Sequence, residues 1–219
     1  MIIIPTILTS SLQELTETFI HLEPHFDRVQ IDIVDGQFAS NRTIFPQSLS
    51  QIETNLSIDF HLMVRDPSSW IDRCLSGFAD RIIGQIELMT DQIAFAEKIT
   101  QSGKDVGLAV DLATSLEKLN PQSLPLIQVL LLMSVPAGQA GQTLNEDIYA
   151  KIGKVNQLRQ KTNSNFIICI DGGVSSENID KLSASGADAV AIGRRLTQGD
   201  IPANLEAIRS RLPPPPSAN

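Results

Sequence analysis

A chain of 219 residues with 42% hydrophobic side chains can bury a large apolar core, and with 5% aromatics that core has to be aliphatic. The net charge of -8 excludes a nucleic-acid surface, because nothing in the composition neutralises a row of phosphates, although a local anion site remains compatible with it. Cys74 and Cys169 lack CxxC or metal-type spacing and read as reduced, buried thiols of a cytoplasmic protein.

In chain order, Met1-Ile2-Ile3-Ile4-Pro5 has no basic flank and is far too short to span a bilayer, so it reads as a first strand and not as a membrane segment. Short aliphatic runs then recur at 2–8, 29–34, 57–63, 81–86, 106–110, 128–133, 166–170 and 189–192. Helix-patterned segments lie between them at Ser11–Leu22, Pro67–Gly77, Thr90–Gly103, Glu146–Thr162, Ser175–Gly186 and Pro202–Leu212, several opened by Ser, Thr or Asp and stopped by Gly. The connections 44–55 and 114–125 are weaker, since Pro121 and Pro125 allow only a short helix in the second. Strand and helix alternating through eight strands predict an α/β fold, a single (β/α)8 TIM barrel over 1–212. The proline run 213–219 can neither continue a helix nor bury anything, and is expected to be a disordered tail.

In such a barrel the chemistry gathers at the C-terminal strand ends. The second run, Val29-Gln30-Ile31-Asp32-Ile33-Val34, carries Gln30, Asp32 and Val34 on one face at period two, so an amide and a carboxylate point together at something polar. An ionised Asp buried without a partner costs several kcal/mol, which marks Asp32 as a site candidate. The third strand offers His61 and the fourth Gln85 and Glu87, while Asp111 ends the fifth, Met133-Ser134 the sixth and Asp171 the seventh. Strands two and seven lie across an eight-strand ring, so Asp32 and Asp171 are expected to face each other over a substrate. Opposed carboxylates suit removal of a carbon-bound proton from one face and delivery to the other. Asp is a weak base for that work, so a cation or donor has to stabilise the resulting enediolate, and Asp32, His61 and Asp171 offer three ligand atoms for one divalent ion. Gly138 and Gly141 after strand six, Gly172-Gly173 after strand seven and Gly193-Arg194 after strand eight read together as a phosphate cradle.

These residues, in this order, resemble the ribulose-phosphate 3-epimerase family over roughly 4–196. Pro5-Thr6-Ile7-Leu8-Thr9 is similar to the family's Pro-Ser-Ile-Leu-Ser, and Ile31-Asp32-Ile33-Val34-Asp35-Gly36-Gln37-Phe38 to its Val-Asp-Val-Met-Asp-Gly-x-Phe. Asn41-Arg42-Thr43-Ile44, His61-Leu62-Met63, Met133-Ser134-Val135, Gly141-Gln142 and Asp171-Gly172-Gly173-Val174 also match. The resemblance implies a barrel of the ribulose-phosphate-binding type that epimerises D-ribulose 5-phosphate at C3 to D-xylulose 5-phosphate, within the pentose phosphate pathway. It implies Asp32 and Asp171 as acid and base and as metal ligands, with His61 a further ligand. Thr9, His61, Met63, Met133, Gly138, Gly141, Gln142, Gly172, Gly173, Gly193 and Arg194 are the residues expected to contact substrate.

The departures fall at the site. Gln30 and Gln85 stand where the family has His, Val34 where it has Met, Asp111-Leu112 where it has Asn-Pro, and Gly193-Arg194 where it has Gly-Ser. A Gln30 carbonyl oxygen can coordinate, but as a neutral, hard ligand. The set Gln30, Asp32, His61 and Asp171 therefore leans from Zn²⁺ toward Mn²⁺, Fe²⁺ or Mg²⁺, or toward no metal, with Gln30 and Gln85 as the substitute donors. The alternatives are an epimerase or isomerase of another ketose phosphate, or a phosphosugar-binding barrel without turnover. Decarboxylase and aldolase relatives use Asp-x-Lys-x-x-Asp on strand two, and Asp32 occupies its Lys position. The expected partner is a small sugar phosphate; homo-oligomers are compatible with exposed apolar helix faces.

Overall fold

A computed structural model of the chain describes residues 1–213, so 214–219 of the expected tail lie outside the described residues. Eight parallel strands, β1 (Ile2–Ile7), β2 (Arg28–Val34), β3 (Ser57–Met63), β4 (Ala79–Gln85), β5 (Asp105–Val110), β6 (Val129–Met133), β7 (Ile167–Asp171) and β8 (Ala189–Ile192), pair in chain order and close when Ile2 of β1 pairs with Ala189 of β8. The fold is the (β/α)8 barrel expected from the alternating pattern.

Period-two alternation divides each strand between two environments. On β3, Ile58, Phe60 and Leu62 face the helices and join the main aliphatic core, while Met63 belongs to the separate apolar cluster inside the barrel. Inside, Ile4, Ile83, Val129, Leu131 and Cys169 fill the bore, so the barrel is a packed core and not a pore. At the N-terminal end Asp59 takes Arg28 and Arg81 as partners, the latter at 3.2 Å. Burial pushes the Asp59 carboxyl up to about 6 against the pull of both guanidinium groups.

The helices start where the sequence supplies caps. α1 (Leu12–Leu22) is capped by Ser11 accepting from the Glu14 amide, α2 spans Ile71–Ser76, and α3 (Gln92–Gln101) is capped by Asp91 accepting from the Ile93 and Ala94 amides. α4 spans Asp147–Lys161, α5 Ile179–Ala184, α6 Arg194–Thr197 and α7 Ile201–Arg209. Two sequence expectations change. The helix expected from Pro67 opens with a 3-10 turn, Pro67–Trp70, and α5 begins four residues later than Ser175 because Ser175 and Asn178 bond each other in a turn. The four-residue α6 and the 3-10 segments Pro46–Gln51, Leu116–Lys118 and Leu124–Leu126 are too short for a periodic signal. Among the described residues no helix is long and apolar enough to cross a membrane.

Cys74 and Cys169 are both free and buried, and burial pushes both thiols up. Neither should react with an aromatic disulfide reagent in the native protein; both should react at once in denaturant. Rapid native labelling of either thiol would contradict the burial.

Candidate active site

The interior polar residues meet at the C-terminal mouth. Asp32 on β2 is the register partner of His61 on β3, which sets those two side by side. Asp171 arrives from β7 across the bore, and the ligand atoms of Asp32, His61 and Asp171 all lie within 4.8 Å of one another. His61 Nδ1 stands 3.1 Å from Asp32 Oδ1 and 3.7 Å from Asp171 Oδ2.

Beneath them the Gln30 amide nitrogen lies 3.0 Å from Asp32 Oδ1, 2.6 Å from Asp171 Oδ2 and 3.1 Å from Thr6 Oγ1. Thr6 donates its own hydroxyl to Asp32 Oδ2 at 3.1 Å. The Gln85 amide satisfies its neighbours in one orientation: Nε2 donates to Ala109 O at 3.1 Å and to Glu87 Oε2 at 2.8 Å, and Oε1 accepts from His61 Nε2 at 3.2 Å. The Gln30 and Gln85 amides thus hold His61 and both carboxylates.

Burial pushes the Asp171 carboxyl well above the usual carboxylate range, and the Asp32 charge pushes the same way, against His61 and the Gln30 bond. Burial pulls His61 down, but its bond to Asp32 and the charges of Asp32, Asp171 and Glu87 outweigh that and raise it.

Above this floor opens a cavity of about 620 Å³. Of the residues expected to contact substrate, Met63, Met133, Gly138, Gly141, Gln142, Gly172, Gly173, Gly193 and Arg194 line it together with Asp32 and Asp171. His61 lies fully buried under the floor. Thr9 is not brought into the cavity: its hydroxyl donates to Glu14, which is. Gln142 spends its amide nitrogen on Pro136 O and Gln139 O, both at 2.9 Å, and so shapes its own loop. Gly173 adopts φ +62°, and a Cβ there would run into the Leu144 backbone, so the β6 and β7 loops pass in contact where only glycine fits. The cradle is therefore a glycine turn, and the expected helix N-terminus begins only at Ile179. At Gly141 a Cβ would strike the Arg194 guanidinium, which places that cation against the β6 loop.

Glu14 and Asn41 also line the cavity and were not among the expected contacts. Ser11-x-x-Glu14 reads from sequence as a helix-capping pair, which hides a cavity role. Thr6 lines the cavity and also bonds Asp32, and Glu87 bonds Gln85, contacts that no local pattern reveals.

A model described as the ribulose-phosphate 3 epimerase family matches residues 2–197. The chain belongs to that family. Ribulose-phosphate 3-epimerase of Treponema pallidum is 26% identical over 90% of this chain and 91% of that protein, and the protein of the same name from Aquifex aeolicus is 30% identical over 85% of each. A 3-keto-L-gulonate-6-phosphate decarboxylase structure from Vibrio cholerae matches with a TM-score of 0.69 at 13% identity, covering 96% of both chains, which is a likeness of fold.

The divalent ion implied by the epimerase-family resemblance fits this donor set. Gln85 Oε1 accepts the Nε2 proton of His61, so Nδ1, which faces Asp32 Oδ1 and converges with Asp171 Oδ2, is the nitrogen that would give up its proton to hold the ion. The fourth position, Gln30, presents nitrogen in place of oxygen.

Proposed function

We propose that the chain is an epimerase of D-ribulose 5-phosphate and D-xylulose 5-phosphate that inverts C3 by two-carboxylate proton transfer. The observation that carries this reading is the pairing of Asp32 and Asp171, from strands three places apart round the ring, on one cavity. With C3 of the ketose between them, the ionised carboxylate takes the C3 proton and the C–H electron pair passes into an enediolate. The protonated carboxyl then returns a proton to the opposite face, which inverts C3 and exchanges the two protonation states. Each turnover thus leaves the pair set for the reverse reaction. A divalent ion held by Asp32, His61 and Asp171 would neutralise charge developing on the enediolate oxygens.

The chain's own groups do the positioning. Thr6 and Gln30 fix both carboxylates, Gln85 and Glu87 fix the His61 ring, and Met63 and Met133 wall the reacting carbon and exclude water. The turn at Gly172-Gly173, the β6 loop and Arg194 would hold the phosphate. Arg194→Ala should raise KM for the sugar phosphate about tenfold, the size of one hydrogen bond to a charged group, with kcat little changed. An unchanged KM would remove Arg194 from the phosphate site.

The test is incubation with D-ribulose 5-phosphate in deuterated water, with and without Mn²⁺, Zn²⁺ or Mg²⁺, following deuterium at C3 and xylulose 5-phosphate by NMR. Exchange with epimerisation supports the reading. No exchange with any metal rejects this substrate and favours another ketose phosphate, or binding alone.

A further inference from the structure

Gln30 is 1% exposed, and its amide nitrogen touches oxygens that are all acceptors: two carboxylates and a threonine hydroxyl already donating to Asp32. An amide nitrogen has no available lone pair and cannot ligate a cation; the amide oxygen can. Presenting that oxygen takes a half-turn of the carboxamide. Without an ion between them, the half-turn would set Oε1 against Asp32 Oδ1 and Asp171 Oδ2, where Nε2 now sits at 3.0 and 2.6 Å. Acceptor would face acceptor at a buried position. With a cation in the cluster the preference reverses, since the carboxylate oxygens then point at the ion.

The geometry points to Gln30 as a two-position clamp: its N–H groups hold the Asp32 and Asp171 carboxylates together when no ion is bound, and a half-turn presents its oxygen to a divalent cation, so that clamp and cation compete for the same carboxylate oxygens. Two consequences follow for this chain. The carboxylate pair stays assembled without metal, and metal binds weakly and reversibly, because it has to displace two hydrogen bonds to carboxylates and gains only a neutral oxygen. The Gln85 amide is pinned by Ala109 O and Glu87, so the adaptable ligand is Gln30 and the His61 ring is the fixed one.

The inference rests on reading these side chains as the reacting centre, but its test reads ligand geometry and not turnover. Full-length protein stripped of metal and carrying ¹⁵N-glutamine is titrated with Zn²⁺ while the side-chain amide signals are followed, that of Gln30 being identified by its loss in Gln30→His. His61 ring signals report occupancy. Zn²⁺ affinity is measured in parallel by competition with a fluorescent chelator. The expected result is a downfield, slowly exchanging Gln30 amide in metal-free protein that moves upfield and exchanges faster as the His61 signals shift. Zn²⁺ should bind Gln30→His at least ~10-fold more tightly, the lower end of what changes around a metal's ligands cost. A Gln30 amide that stays put while His61 reports Zn²⁺, no tightening in Gln30→His, or no Zn²⁺ response at His61 each overturns the inference. Should Gln30→His fail to fold, Gln30→Leu identifies the signal and the wild-type titration decides alone. A failed epimerase assay with the amide response intact overturns the substrate assignment only.

Discussion

Asp32→Asn and Asp171→Asn should each lower the epimerisation rate by about 10²–10⁴-fold, the range for loss of a positioned acid or base, with the barrel intact by circular dichroism. The more telling result is the pattern of exchange. If each carboxylate serves one face of C3, a variant lacking one of them still lets the survivor remove a proton and return deuterium on its own face. In deuterated water each variant should then label one of the two ketose phosphates without converting it and leave the other unlabelled. The two variants should choose opposite substrates. Labelling of the same substrate by both, or near-normal epimerisation in either, would replace the two-base mechanism with a single-base one. The asparagine substitutions keep the side chain's shape and remove the group that takes up and releases a proton, and at Asp32, whose two oxygens both accept, they also turn one acceptor into a donor.

Phe60→Ala tests the opposite face of a site strand. Phe60 is fully buried on β3, one residue before His61, and points outward to where Gly77 ends α2. Deleting the ring leaves a cavity between barrel and helices that the backbone cannot close, at a cost of about 3–5 kcal/mol. Unfolding in urea should move to a markedly lower midpoint with an unchanged slope, while kcat at a temperature where the variant is folded stays near the wild-type value. A large fall in kcat without loss of stability would show that the outer core and the bore are not separate, contrary to the alternation along β3.

The sequence carried the barrel because its signals are local. Every strand run is short, aliphatic and bounded, and inward and outward positions alternate at period two, so Asp32, His61 and Asp171 declare themselves as polar residues on strands whose other faces are apolar. The glycines of the β6, β7 and β8 loops were legible for the same reason. Helix starts were not, where a turn such as Ser175–Asn178 uses the same residue types as a cap. Thr9 shows the limit for the site: its neighbour in the motif is close in sequence, yet its hydroxyl turns to Glu14, and it is Glu14 that reaches the cavity.

By itself, then, the sequence determined the eight-strand ring and set Asp32, His61 and Asp171, together with the amides Gln30 and Gln85, on its strands. Only the tertiary structure decided what those amides do. Gln30 and Asp171 are 141 residues apart and meet through a 2.6 Å bond across the closed bore. The orientation of Gln85 is settled by Ala109 on the next strand and by Glu87 beyond its own strand. The direction of a hydrogen bond depends on which donors and acceptors surround an amide in space, and no pattern along the chain records that before the ring closes.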